Sequence, residues 1–116
     1  MKKIIVAGDD LVGENGLVRF LEKDFKVSTS CFEEGVLGLC LAQDFDLIIT
    51  DYSLNDISGI ILIKKEKEVQ PGIKSILISG QIIPDEGKIR RLGVDAFIEK
   101  PFEMDALRHV IDLVLG

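Results

Sequence analysis

Five polar side chains stand out because each lies at or just beyond the end of a short apolar run. Asp9 and Asp10 follow Ile4-Ile5-Val6-Ala7 across Gly8, and Asp51 closes Leu47-Ile48-Ile49-Thr50. Ser79 closes Ile76-Leu77-Ile78, and Lys100 comes after Ala96-Phe97-Ile98 and Glu99. Three acids, one hydroxyl and one ammonium make a set with definite chemistry. Carboxylates held together repel one another, so a cation is expected among them. Oxygen donors without nitrogen or sulfur suit Mg²⁺, which takes one or two carboxylates and often a phosphate. A lysine opposite can meet phosphate as a point charge. A carboxylate can also be the nucleophile, which would give an acyl phosphate.

The elements that must position these residues follow from the same runs. Continuous apolar stretches of this length suit strands covered on both faces, as in a parallel sheet. Lys26-Val27-Ser28-Thr29 is more polar and reads as an edge strand. Between the strands lie helix-like stretches. The first, about 14–23, carries Leu17, Phe20 and Leu21 on one face; the second, about 33–41, is weakened by Gly35 and Gly38 at roughly 1 kcal/mol each. A third has a buried start at Ile60–Ile63 and a solvated tail, Lys64-Lys65-Glu66-Lys67-Glu68. Pro84-Asp85-Glu86 reads as the first turn of a fourth. Met104, Leu107, Val110, Ile111 and Val114 form the stripe of the last. Five strand–helix units, without repeat, linker or second composition zone, predict one α/β domain over residues 1–116. In such an open sheet, ligands bind beyond the carboxyl ends of the strands, where the five polar residues collect.

Composition narrows the function. Aromatics are only 6% against 47% apolar, so the core must be aliphatic. A net charge of −6 leaves no basic stripe for phosphate backbones, which argues against direct nucleic-acid binding. No apolar run approaches the roughly 20 residues that span a bilayer. Met1-Lys2-Lys3 leads into an apolar run too short for a signal peptide. The expectation is a cytoplasmic chain with no membrane contact. Cys31 and Cys40 fit neither a redox pair nor a zinc site and are expected to be small buried side chains.

The ordered set of motifs resembles the receiver domains of two-component response regulators, over essentially the whole chain. The likeness rests on Asp9-Asp10, on Asp-Leu-Ile-Ile-Thr-Asp (46–51), and on Ser53-Leu54 through Gly59. It continues in Ile-Leu-Ile-Ser-Gly (76–80) and Phe-Ile-Glu-Lys-Pro-Phe (97–102). The resemblance implies a (βα)5 flavodoxin-like fold with strand order 2-1-3-4-5. It makes Asp51 the phospho-acceptor, Asp9 a direct Mg²⁺ ligand, and the Ser53 carbonyl a further ligand. Ser79 then takes the place of the switch hydroxyl, and Lys100 meets the phosphoryl group beside a cis Lys100–Pro101 bond. Phe97 stands either for an aromatic that changes rotamer on activation or for plain core packing. Gly59 and Pro101 are structural on this reading. The implied partners are a histidine kinase or phosphotransfer protein, and a downstream protein or output domain. The chain would be no enzyme beyond its own phosphoryl transfer and hydrolysis.

One departure concerns the metal. Gly8 stands where the family has the first of two adjacent acids, with Asp9 at the second and Asp10 just after. The loss should weaken Mg²⁺ binding, with Asp10 available to compensate, and Gly8→Asp is expected to restore it. Asn55 replaces a common proline, and Ser53 and Gln81 lie where such domains tune hydrolysis. The main alternative is a receiver-like interaction module that works without phosphate, favoured only by Gly8. A haloacid-dehalogenase hydrolase needs a second acid where Ser53 stands. A flavin-binding flavodoxin needs a hydroxyl-rich loop after the first strand, and 8–16 has no Ser or Thr. A P-loop is also absent. His109 lies on the last helix and needs no chemical role.

Overall fold

A computed structural model describes residues 1–13, 16–54, 57–80 and 85–116. Five strands form one parallel sheet: β1 (Lys3–Ala7), β2 (Lys26–Ser30), β3 (Leu47–Asp51), β4 (Lys74–Ser79) and β5 (Ala96–Glu99). Their order is β2-β1-β3-β4-β5, as the resemblance implies. Register is continuous across the centre, with Ile5 beside Ile48 and Ile49 beside Ile76. Side chains alternate across a strand, so neighbouring residues feed opposite faces. Ile4, Val6, Leu47, Ile49, Ile76 and Ile78 belong to one buried cluster, while Ile5, Ala7, Ile48 and Leu77 belong to the other. Each face is therefore sealed by helices, which is why the strands read as unbroken apolar runs. β2 is the half-exposed edge that its polar residues suggest.

The helices in chain order are α1 (Asp9–Val12), α2 (Leu17–Glu22), α3 (Glu33–Ala42), α4 (Gly59–Val69), α5 (Glu86–Arg91) and α6 (Met104–Leu115). α2 and α6 cover the first cluster through Leu17, Leu21, Leu107 and Ile111. α3, α4 and α5 cover the second through Val36, Cys40, Leu62, Ile63 and Ile89. The helix expected over about 14–23 is α2, described from Leu17 behind Gly16 at φ 74°, and a further short helix at Asp9–Val12 precedes it. Residues 14 and 15, where the expected helix would begin, lie outside the described residues. Acids favour a helix's first turn, which is where Asp9 and Asp10 stand.

α3 forms despite its two glycines because tertiary contacts outweigh propensity. Val36 and Cys40 are buried, and Gln70 Nε2 donates to the Cys40 and Gln43 carbonyls, at 2.7 Å each. Those are carbonyls that a helix end leaves without intrahelical partners. α4 is capped by Ser58, whose side chain accepts from Ile61 N, and α5 by Asp85, which accepts from Lys88 N. Pro84, the expected start of the fourth helix, lies outside the described residues, so α5 is described only from Glu86.

Two expectations are corrected. The charged tail of α4 is not wholly solvated, because Glu66 is fully buried. It sits four residues after Leu62 and three after Ile63, on the same inward stripe. Cys31 is only half-buried, since it follows the edge strand β2, whereas Cys40 is buried in the second core cluster.

Candidate functional site

Four strand ends converge on one cleft at the carboxyl edge of the sheet. Asp51 is the last residue of β3 and only 5% exposed, in a strand whose other members are all buried. Ser79 closes β4 and is also buried. Lys100 follows β5, and its backbone N–H donates to the Ser79 carbonyl at 2.7 Å, which ties the two strand ends together. The Lys100–Pro101 peptide bond is cis. After β3 the chain turns back on itself: Tyr52 N donates to the Ile78 carbonyl, Ser53 bridges to Ser58, and Gly59 N donates to the Tyr52 carbonyl at 2.7 Å. A Cβ on Gly59 would fall 2.0 Å from the Asp51 carbonyl oxygen, so only glycine lets α4 begin this close behind Asp51.

The central contact is an ion pair. Lys100 Nζ lies 2.6 Å from Asp51 Oδ1 and 3.4 Å from Asp10 Oδ2. Asp51 Oδ1 is buried, and the Lys100 ammonium beside it is what balances its charge. Burial pushes the Asp51 carboxyl above its ordinary range, Lys100 pulls it back, and Asp10 and then Asp9 push it up again. For Lys100, burial favours the neutral amine, but Asp51 and Asp10 outweigh it and the ammonium is held above its usual value.

A cleft of about 300 Å³ is lined by Asp10, Asp51, Tyr52, Ser53, Ser79 and Lys100, among others. Beside it, Asp9, Asp10, Asp51, Ser53 and Leu54 line a second hollow of about 280 Å³. The structure thus brings Asp9, Asp10, Asp51, Ser53, Ser79 and Lys100 together. Phe97 lines neither hollow. It is half-buried against the second core cluster, with the Arg90 guanidinium 5.0 Å from its ring centroid. Tyr52 is a cleft residue that the sequence analysis does not single out, although its place between Asp51 and Ser53 is a signal for it. Cys31 also reaches the site's edge: a hydrogen bond to Asp9, more than burial, pushes its thiol above the ordinary value.

The donor set suits a hard cation. Among the described residues no three acidic, histidine or cysteine side chains form a ready metal cage. Mg²⁺ does not require one, because it keeps several waters and uses one or two carboxylates. Three carboxylates line these hollows against one ammonium, so negative charge remains to be balanced. The expectation for Gly8→Asp is corrected. Gly8 has φ +120°, and a Cβ there would lie 2.5 Å from Asp51 Oδ2. The missing side chain makes room for the Asp51 carboxylate, so an acid placed there would collide with it.

The comparisons with known proteins agree with this geometry. The family model of the response regulator receiver domain matches residues 4–112. The response regulator receiver protein CpdR of Brucella abortus is 31% identical, over 99% of this chain and 98% of its own length. A CheY-like receiver domain protein from Methanospirillum hungatei superposes with a TM-score of 0.89 at 26% identity, covering 99% of this chain and 94% of that one. A response regulator from Burkholderia pseudomallei, solved with a phosphorylated aspartic acid and a calcium ion, has a TM-score of 0.83 at 25% identity, covering 100% of this chain and 67% of that one. The chain spans only 10% to 23% of the length of several other curated relatives, among them a hybrid signal transduction histidine kinase of Dictyostelium discoideum. Among the described residues no helix is long and apolar enough to cross a membrane. With the family model matching nearly its whole length, the chain belongs to the response regulator receiver domains of two-component signalling.

Proposed function

We propose that this receiver accepts a phosphoryl group on Asp51 in a Mg²⁺-dependent step and thereby changes what binds its surface. The observation that carries the reading is the buried Asp51 carboxylate with Lys100 Nζ at 2.6 Å, at the base of an oxygen-lined cleft. The phosphorylated aspartic acid of the Burkholderia relative supports it. Asp9, Asp51 and the Ser53 carbonyl would hold the ion, with Asp10 as a further acid beside them. When bound, Mg²⁺ supplies neutralisation of charge on the phosphoryl oxygens, most of what this transfer requires.

The chain's own residues do the rest. An Asp51 oxygen attacks phosphorus on a kinase's phosphohistidine or a small phosphodonor; the new O–P bond forms as the P–N bond, or the donor's P–O bond, breaks. The released imidazole or carboxylate leaves with the bonding pair. Lys100 exchanges part of its contact with Asp51 for the incoming oxygens, as a charge-assisted bond worth roughly 1.5–3 kcal/mol. Ser79 then turns its hydroxyl toward the new oxygens. Because its carbonyl accepts from Lys100 N, movement there is felt at β5. The outcome is a population shift between two arrangements of the face made by α5, β5 and α6. Partners on this reading are a histidine kinase or phosphotransfer protein upstream and a protein or output domain downstream, in the cytoplasm, with no direct nucleic-acid contact.

Acetyl phosphate with Mg²⁺ should add one phosphoryl mass to the intact wild-type chain and none to Asp51→Asn. Equal labelling of the two would falsify the assignment, and no labelling of either would favour an interaction module that works without phosphate. Ser79→Ala should still accept phosphate, yet lose much of the beryllofluoride-induced change in backbone amide signals around 85–92. Lys100→Ala should lose that response and also label more slowly. A full wild-type response in the serine variant would sink the switch, and one in the lysine variant would remove Lys100 from it. Gly8→Asp should melt at a lower temperature, by strain of about 1–3 kcal/mol, and should not tighten Mg²⁺ in a metal titration. Tighter binding with an unchanged melting temperature would show that the Gly8 cradle is misread.

A further inference from the structure

Glu66 is the one fully buried acid among the described residues, and the phosphoryl chemistry makes no use of it. It lies on α4 where that helix packs on α3, and among the described residues its carboxylate meets no hydrogen-bonding group other than the Cys40 thiol. Across the joint stands the buried thiol of Cys40. Burial, and then Glu66, push that thiol well above its ordinary value. Burial likewise pushes the Glu66 carboxyl up, Cys40 opposes it, and Glu33 adds to it.

The charged surroundings offer no compensation. From α3, Glu33 is engaged by Lys65, while Glu34 is exposed. On α4 itself Lys67 is held by Asp95 at 2.8 Å, and Lys64 and Lys65 are exposed. Glu68 adds only further negative charge on the exposed side of the helix. β3 and β4 pack beneath α4, and their charged residues are Asp51, paired with Lys100 at one end, and the exposed Lys74 at the other. Among the described residues no cation contributes to the balance at Glu66. A lone carboxylate in such a place is costly, and the usual resolution is that the group binds a proton.

We propose that Glu66 is carried as a neutral carboxylic acid and that the α3–α4 joint is a proton-sensitive device, tight when Glu66 is protonated and loosened when it ionises. The joint is well placed to matter. α4 starts at Gly59, directly behind Asp51, and is followed by Gln70. Gln70 holds the Cys40 and Gln43 carbonyls and accepts from Phe45 N at 2.9 Å, just before β3. Loosening at Glu66 therefore acts at both ends of the strand that carries Asp51. The inference does not depend on phosphorylation.

The sign follows from linkage. With its folded-state value raised, Glu66 binds its proton more tightly in the folded chain than in the unfolded one. The stability this gives is complete below the unfolded carboxyl value of about 4.3 and is lost as pH rises through the folded value. Asp51 is shifted in the same direction, so the comparison is made in an Asp51→Asn background. Melting temperatures of Asp51→Asn and of Asp51→Asn with Glu66→Gln should converge near about pH 4 and separate as pH rises toward about 8, the glutamine chain melting higher. Carboxyl carbon NMR of the unsubstituted chain reads Glu66 directly, whether or not the variants fold. A Glu66 signal still in the protonated range at neutral pH supports the proposal. Parallel melting profiles, or a Glu66 signal that titrates in the ordinary carboxylate range, would overturn it.

Discussion

A carboxylate held almost out of water beside one ammonium is the constraint around which the molecule is arranged. Asp51 ends the central strand at 5% exposure, and its Oδ1 depends on Lys100 Nζ for balance. Leaving either charge buried alone would cost several kcal/mol, discounted here because Lys100 remains partly open to solvent. The pair therefore has to be delivered from two strands that are not neighbours, β3 and β5, in fixed register. β4 lies between them, and its terminal carbonyl at Ser79 accepts from Lys100 N. A parallel sheet covered on both faces does this well, because its apolar runs leave little freedom to slip.

The same arrangement explains why the surroundings are tight on one side and open on the other. Behind Asp51, Gly59 brings the start of α4 against the strand's carbonyl. Beside it, Gly8 leaves room for Oδ2 where a side chain would collide. In front, the cleft opens past Asp10, whose side chain is 80% exposed. Among the described residues, that is the side on which the cleft opens. Ser79 is buried at the cleft wall, and its carbonyl ties it to Lys100 N.

Much of this was legible in the sequence, for physical reasons. The strand runs and the stripe of α6 are strong periodic signals, and the polar residues at strand ends are conspicuous because they interrupt apolar stretches. The short helix α1 is not legible, since Leu17, Phe20 and Leu21 give the face of α2 and nothing in Asp9–Val12 gives a face of its own. Glu66 reads as part of a solvated tail because four of its neighbours are charged; only its spacing from Leu62 and Ile63 hints otherwise. Gly8 showed as a missing acid, but its positive φ and the space it leaves for Asp51 depend on how β1 and β3 approach. Cys31 reaches the site through Asp9, distant in the chain, which no local pattern encodes, whereas Tyr52 enters it simply as the neighbour of Asp51 and Ser53.

The central claim is that the acyl phosphate forms at the buried strand-end carboxylate and at none of the acids that share its cleft. Borohydride reduction of the phosphorylated chain, followed by peptide mass spectrometry, converts an aspartyl phosphate to homoserine and so locates it. Homoserine at position 51 alone is the expected result. Homoserine at position 9 or 10 with Asp51 intact would contradict it, because the nucleophile would then lie on the exposed rim and the Asp51–Lys100 pair would be a structural contact only.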